Sequence, residues 1–189
     1  MTRCREAAGR HLPQIGAAHP LYAWVRRRQA GSVSPMSRWV ETVERVIPAP
    51  AERIFALVAD PRRHKDIDGS GTVRDAHDLP ERLSLGATFG MHMDYGGPYS
   101  MTSTIIEFDE GKLIAWQSRP PKDGARWRHL FGGRIWRYEL EPVEGGTRVR
   151  ESWDLSQERL KQLVIGYRKK TRANMLATLA RIEELVAQV

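Results

Sequence analysis

The spacing of apolar residues changes period three times along the chain, and each change predicts a different kind of element. From Trp39 to Ile47 apolar and polar positions alternate, as in a strand with one buried face. Pro48-Ala49-Pro50 ends it, and Pro50 can open a helix because a first-turn proline gives up no hydrogen bond. AERIFALVA then places Ile54, Phe55 and Val58 on one helical face. Asp60-Pro61 repeats the start signal, a cap followed by a proline, for a second short helix near RRHKDI. Beyond it the period falls to two. Strands are predicted at 72–76, 86–95, 99–108, 112–118, 134–142 and 147–154, with Gly96-Gly97 and Gly145-Gly146 as tight turns. From Gln157 a helical period returns, and Leu160, Val164, Tyr167, Met175, Leu179, Ile182 and Val186 form its stripe. Ser156 is the expected cap, Glu158 suits the first turn, and Gly166 marks a break before a firm helix over about 167–187.

The order is strand, two short helices, six strands and one long helix. Consecutive strands joined by short turns make an antiparallel sheet, and the last helix is the only large cover for its apolar face. The fold class is therefore α+β: a curved antiparallel sheet of about seven strands around a long C-terminal helix.

Charge locates a boundary. The net charge is +7, but residues 1–38 carry seven of the 30 basic residues and one of the 23 acids, so the rest is nearly neutral. We read 1–38 as a basic leader, either disordered or upstream of a functional start at Met36, and 39–189 as the folded domain. A nucleic-acid-binding domain would carry its basic stripe on the folded surface, so nucleic acid is not an expected partner. The leader holds no apolar run long enough for a signal peptide or membrane span; its LYAWVRRRQAG segment and the run Arg168–Arg172 allow at most weak peripheral membrane contact. A single cysteine, Cys4, excludes an internal disulfide and fits a reducing, cytoplasmic setting.

Three stretches carry a resemblance. VERVIPAPAERIFALVADP, RIWRYELEPVEGGTRVRESWDLS and LGATFGMHMDYGG resemble the SRPBCC superfamily, the START-like helix-grip proteins, in its polyketide cyclase/dehydrase and lipid-transport branch. The likeness spans about residues 40–188. It implies a cavity between sheet and helix, neighbouring first and last strands, and either a carrier of lipid-, polyketide- or aromatic-like molecules or a cyclase/dehydrase-type enzyme. A protein-interaction module is a further reading within the superfamily. Fold alone does not choose among them. The sequence departs from the pattern where DGSG follows the second helix without a tryptophan and where Met91 and Met93 replace more polar positions. Residues 118–133 form a long link that could cover a cavity mouth.

Strand parity names the inner wall. Phe89, Met91, Met93, Tyr95, Tyr99, Met101, Trp116, Trp136, Tyr138, Glu151 and Trp153 share it, with Met175 facing them from the helix, and these are the candidate ligand-binding residues. Such a stripe equally suits a filled core. Parity also turns Arg45 and Glu151 inward, and a buried charge needs a partner, so we expect them to pair. Glu151, Arg45, Tyr95, Tyr99 and Tyr138 are the acid–base candidates for the enzyme reading. His92 and Asp94 fall outside, and His64, His77 and His129 fall in loops or the short helix without metal-ligand spacing. We expect no metal and no cofactor, and no nucleophile elbow or phosphate loop occurs in the sequence.

Overall fold

The computed structural model describes residues 37–122 and 130–188. The expected leader, Cys4 and His129 lie outside the described residues. Strand β1 (Val40–Ile47) leads into α1 (Ala51–Val58), a single turn at Pro61–Arg63 and α2 (His64–Ile67). Strands β2 (Val73–His77), β3 (Thr88–Asp94), β4 (Pro98–Asp109), β5 (Leu113–Arg119), β6 (Arg134–Val143) and β7 (Gly146–Asp154) follow, then α3 (Lys161–Val164) and α4 (Arg168–Ala187). The strands form one seven-stranded antiparallel sheet in the order β1-β7-β6-β5-β4-β3-β2. The first and last strands are neighbours, as the resemblance implied. Register slips in β2, between Val73 and Ala76, and in β4, between Ile105 and Glu107, bend the sheet.

Local chemistry sets the boundaries. Asp60 caps the turn before α2, its Oδ1 accepting from Arg62 N at 3.0 Å, with Pro61 in the first turn. On α1, Ala51, Ile54, Phe55 and Val58 are buried; on α4, Met175, Thr178, Leu179, Ile182 and Val186 are. Two departures occur at the start of the C-terminal helices. Ser156 caps nothing: its N–H is taken by Asp154 Oδ1 at 2.7 Å, and helix begins only at Lys161. Tyr167 leaves the stripe and is exposed, because α3 and the single turn at Ile165–Tyr167 rotate the chain before α4 begins.

Helix α4 lies across β1 on the sheet's inner face and is held there at two places. Near its start, Glu41 forms an ion pair with Arg168, Oε2 to Nε at 2.9 Å, and accepts a hydrogen bond from an Arg172 guanidinium nitrogen at 2.6 Å. One helix length further on, Arg45 Nε donates to Glu183 Oε2 at 2.6 Å. The basic run on α4 is thus partly a fastening. Gly69, after α2, approaches α4 so closely that a Cβ there would sit 2.2 Å from Asn174 O, and its N–H donates to Thr178 Oγ1 at 3.0 Å. The DGSG departure is a close-contact joint between the second helix and the last.

Candidate functional site

The registers confirm the inner parity strand by strand. Val43 faces Glu151, Tyr138 faces Glu151 from the other side, Trp136 faces Trp153, Trp116 faces Trp136, and Met91 and Met93 face Met101 and Tyr99. The expected wall divides into two parts. At its deep end Phe89, Met91, Trp116, Tyr138, Glu151, Trp153 and Met175 are all buried. Trp116 stacks on Tyr138 with ring centroids 5.6 Å apart and meets Phe89 edge-on at 6.1 Å. Toward the β3–β4 hairpin Met93, Tyr99, Met101 and Trp136 are only half-buried, and the inner face opens.

Tyr95 stands at the rim of this wall. It lies just beyond the end of β3, where Gly96 and Gly97 take positive φ and turn the chain, and it is 55% exposed. Its hydroxyl accepts from Lys170 Nζ at 3.0 Å, tying the hairpin to α4.

The expected Arg45–Glu151 pair does not form. Both residues face inward, but Val43 intervenes opposite Glu151 and Arg45 turns to Glu183. Glu151 is resolved by chemistry instead of pairing. It is 2% exposed, and burial first of all, with Asp68 adding to it, pushes its carboxyl up to about 8, against the opposing hydrogen bond from Tyr138. Burial and the Glu151 carboxylate also hold the Tyr138 phenol well above its usual range. The Tyr138 hydroxyl donates to one carboxyl oxygen, while the other, Oε2, is buried without a hydrogen-bond partner. A neutral Glu151 that keeps the Tyr138 bond carries its proton on Oε2, the oxygen without a hydrogen-bond partner.

Four polar features of this face are not placed there by the sequence reading, which sets His64 in a loop or the short helix and Glu158 in the first turn of the last helix. His64 is buried: it stacks on Trp116 at 5.1 Å, meets Phe89 edge-on, and shares a 2.9 Å hydrogen bond between Nε2 and Val58 O. Desolvation lowers its pKa. The signal was available, since His64 lies on the same side of RRHKDI as Ile67. Asp68 accepts from Ser70 N, Thr72 N and Val73 N at 2.8–2.9 Å and fixes the loop beside the open end. Ser103 and Ser118 hydrogen-bond across β4 and β5 at 3.0 Å, at positions the alternation already turned inward. Glu158 is fully buried; it accepts from Gly132 N at 2.7 Å and Arg134 Nε at 3.1 Å, so it anchors one end of the β5–β6 link. Only tertiary contact reveals that role.

A separate groove of about 1100 Å³ lies mostly on the opposite, outer face, across β2, β3 and β4 and beside the β5–β6 link. His92 is there, as parity predicted, with His77 stacked on it at 4.2 Å. Among the described residues no helix is long and apolar enough to cross a membrane.

The family described as "Polyketide cyclase / dehydrase and lipid transport" matches residues 38–187. An uncharacterized protein of Mycobacterium tuberculosis, Rv0088, is 37% identical over 150 residues, 75% of this chain and 62% of its own length. The chain thus spans under two thirds of the curated relatives it matches. Among solved structures, protein NE0264 of Nitrosomonas europaea superposes with TM-score 0.61 at 16% identity, covering 80% of this chain and 96% of that one. A protein of Arthrobacter aurescens reaches 0.62 at 16% identity, covering 80% and 88%. At these identities the structural likeness concerns the fold.

Proposed function

The chain belongs to the polyketide cyclase/dehydrase and lipid transport family, and from that premise we propose that it binds a largely apolar small molecule carrying an oxygen acceptor on the inner face of the sheet, against α4. One observation carries this reading. Glu151 presents a buried carboxyl oxygen with no partner, in surroundings that keep the group neutral around pH 7. An unsatisfied buried polar atom costs about 1–3 kcal/mol and asks for a group to meet it. A ligand carbonyl or hydroxyl oxygen that accepts from Oε2–H removes that cost, while its hydrocarbon part lies along Met91, Met93, Met101 and Trp136. The half-buried hairpin end is the route in. Methionine side chains change rotamer at little cost, so the wall makes room for ligands of loose shape.

Binding of methyl decyl ketone, followed by native mass spectrometry and by tryptophan fluorescence, tests this. The wild type is expected to prefer the ketone over n-dodecane by about tenfold, the worth of one buried hydrogen bond. Glu151→Leu abolishes that preference while hydrocarbon binding persists. Equal affinity for ketone and alkane in the wild type rejects the assignment of Glu151.

The same dyad favours a second reading. A neutral carboxyl that donates to a substrate carbonyl, backed by a phenol, is the arrangement of a general acid for cyclisation or dehydration of a keto substrate. Turnover of a poly-β-keto substrate that survives both Glu151→Gln and Tyr138→Phe removes it.

A further inference from the structure

The outer groove has a composition unlike the inner wall. Its lining carries four cationic side chains, Arg74, Arg119, Lys122 and Arg159, against two carboxylates, Asp78 and Asp94. Both carboxylates are engaged locally: Asp94 with Arg74 at 3.5 Å, Asp78 with His77 Nδ1 at 2.9 Å. The floor holds Thr88, Thr102 and Thr104, and one end is apolar, with Met93, Pro98 and Tyr99.

At its centre is a built feature. The His77 ring lies flat over Gly90, where any Cβ would fall 2.1 Å from His77 Cε1, and its other side is stacked on His92. Gly90 is thus the residue that lets the imidazole rest on bare backbone. With Nδ1 occupied by Asp78, Nε2 is left buried and without a partner. His92 is held in turn by Ser100, Nδ1 to Oγ at 3.0 Å.

We infer that this groove is a second binding site, for a small molecule with an anionic headgroup, phosphate or carboxylate, and a short apolar body. The headgroup lies beside Arg119 and Arg74 at the edge of the His77 ring, and the body lies toward Met93 and Tyr99. The headgroup end, at His77, Arg74 and Arg119, lies on the other side of the sheet from Glu151 and does not depend on the inner-face reading; the two sites approach each other at Met93 and Tyr99.

Phenyl phosphate, benzoate and benzyl alcohol, titrated into the full chain and followed by amide NMR and by the ring protons of His77 and His92, test the inference. At least one anion is expected to bind saturably, about tenfold tighter than benzyl alcohol, with shifts centred on Gly90, His92 and Thr102. The tighter of the two anions assigns the headgroup. His77→Gln and Arg119→Gln should each weaken that anion several-fold, and Gly90→Ala should do the same by lifting the ring. The idea is overturned if neither anion outbinds benzyl alcohol, if the shifts map to the inner face, or if His77→Gln and Arg119→Gln both leave the affinity unchanged.

Discussion

The two faces of the sheet handle charge in opposite ways. On the outer face, charged residues meet across the strands: Arg137 of β6 reaches over Ala115 of β5 and donates through Nε to Glu107 Oε2 of β4 at 3.0 Å, while on adjacent strands Arg148 pairs with Glu141 at 2.8 Å and Arg150 with Glu44 at 3.3 Å. On the inner face, Glu41, Arg45 and Glu158 have ionic partners, and Glu151 has a phenol only. Water and neighbouring cations solve the outer problem cheaply. The inner face solves it either by a second charge from another element or by keeping the proton. Glu151 is the one inner carboxylate, among the described residues, that takes the second route, and this separates a structural carboxylate from a candidate ligand contact.

The packed wall at the deep end is where a substitution should cost most. Trp116→Ala removes the ring that His64 and Tyr138 stack on and is expected to cost about 3–5 kcal/mol in denaturant unfolding. A loss under ~1 kcal/mol means that the deep end is not a packed wall. Next, the two buried glutamates should part company. Glu158→Ala leaves Arg134 and Gly132 N without their acceptor and is expected to cost about 3 kcal/mol; Glu151→Gln, which replaces a neutral acid by a neutral amide, should cost under ~1 kcal/mol at mildly acidic pH.

A pH series sharpens the same contrast. Glu151 binds its proton more tightly in the folded state, about 8, than in the unfolded chain, about 4.5, so its contribution is complete below about 4.5 and is lost as pH rises toward 8. His64 acts oppositely: its folded pKa is lowered, so stability falls as pH drops below about 6.5. Between about 6.5 and 8 Glu151 acts and His64 does not, and the wild type should lose roughly 2 kcal/mol there while Glu151→Gln stays level. A level wild-type curve contradicts the neutral carboxyl. The smallest effect belongs to the outer face: Arg150→Ala should change stability by under about 0.5 kcal/mol.

The architecture was legible because periodicity reports burial directly. Seven strands, two short helices and the final helix follow from alternation and from Pro and Gly punctuation, and the same alternation places Phe89, Met91, Trp116, Tyr138 and Trp153 inside. What parity cannot report is where a long side chain goes after leaving the backbone. Arg45 leaves on the predicted face yet reaches a helix residue 138 positions away. Tyr95 shows the other limit, since alternation does not report that the strand ends at Asp94, and the residue just past it is exposed at the rim, against Lys170. His64 looked like a loop histidine because its burial depends on Trp116, which belongs to a distant strand. The neutrality of Glu151 follows first of all from its burial among side chains of several elements, and no local pattern encodes that.

Carbon NMR of selectively carboxyl-labelled glutamate observes the Glu151 carboxyl itself. The Glu151 resonance, assigned through Glu151→Gln, should titrate with a midpoint near 8, and methyl decyl ketone should raise that midpoint further by favouring the protonated form. A midpoint near 4.5 that the ketone leaves in place would contradict both the neutral carboxyl and the ligand contact built on it.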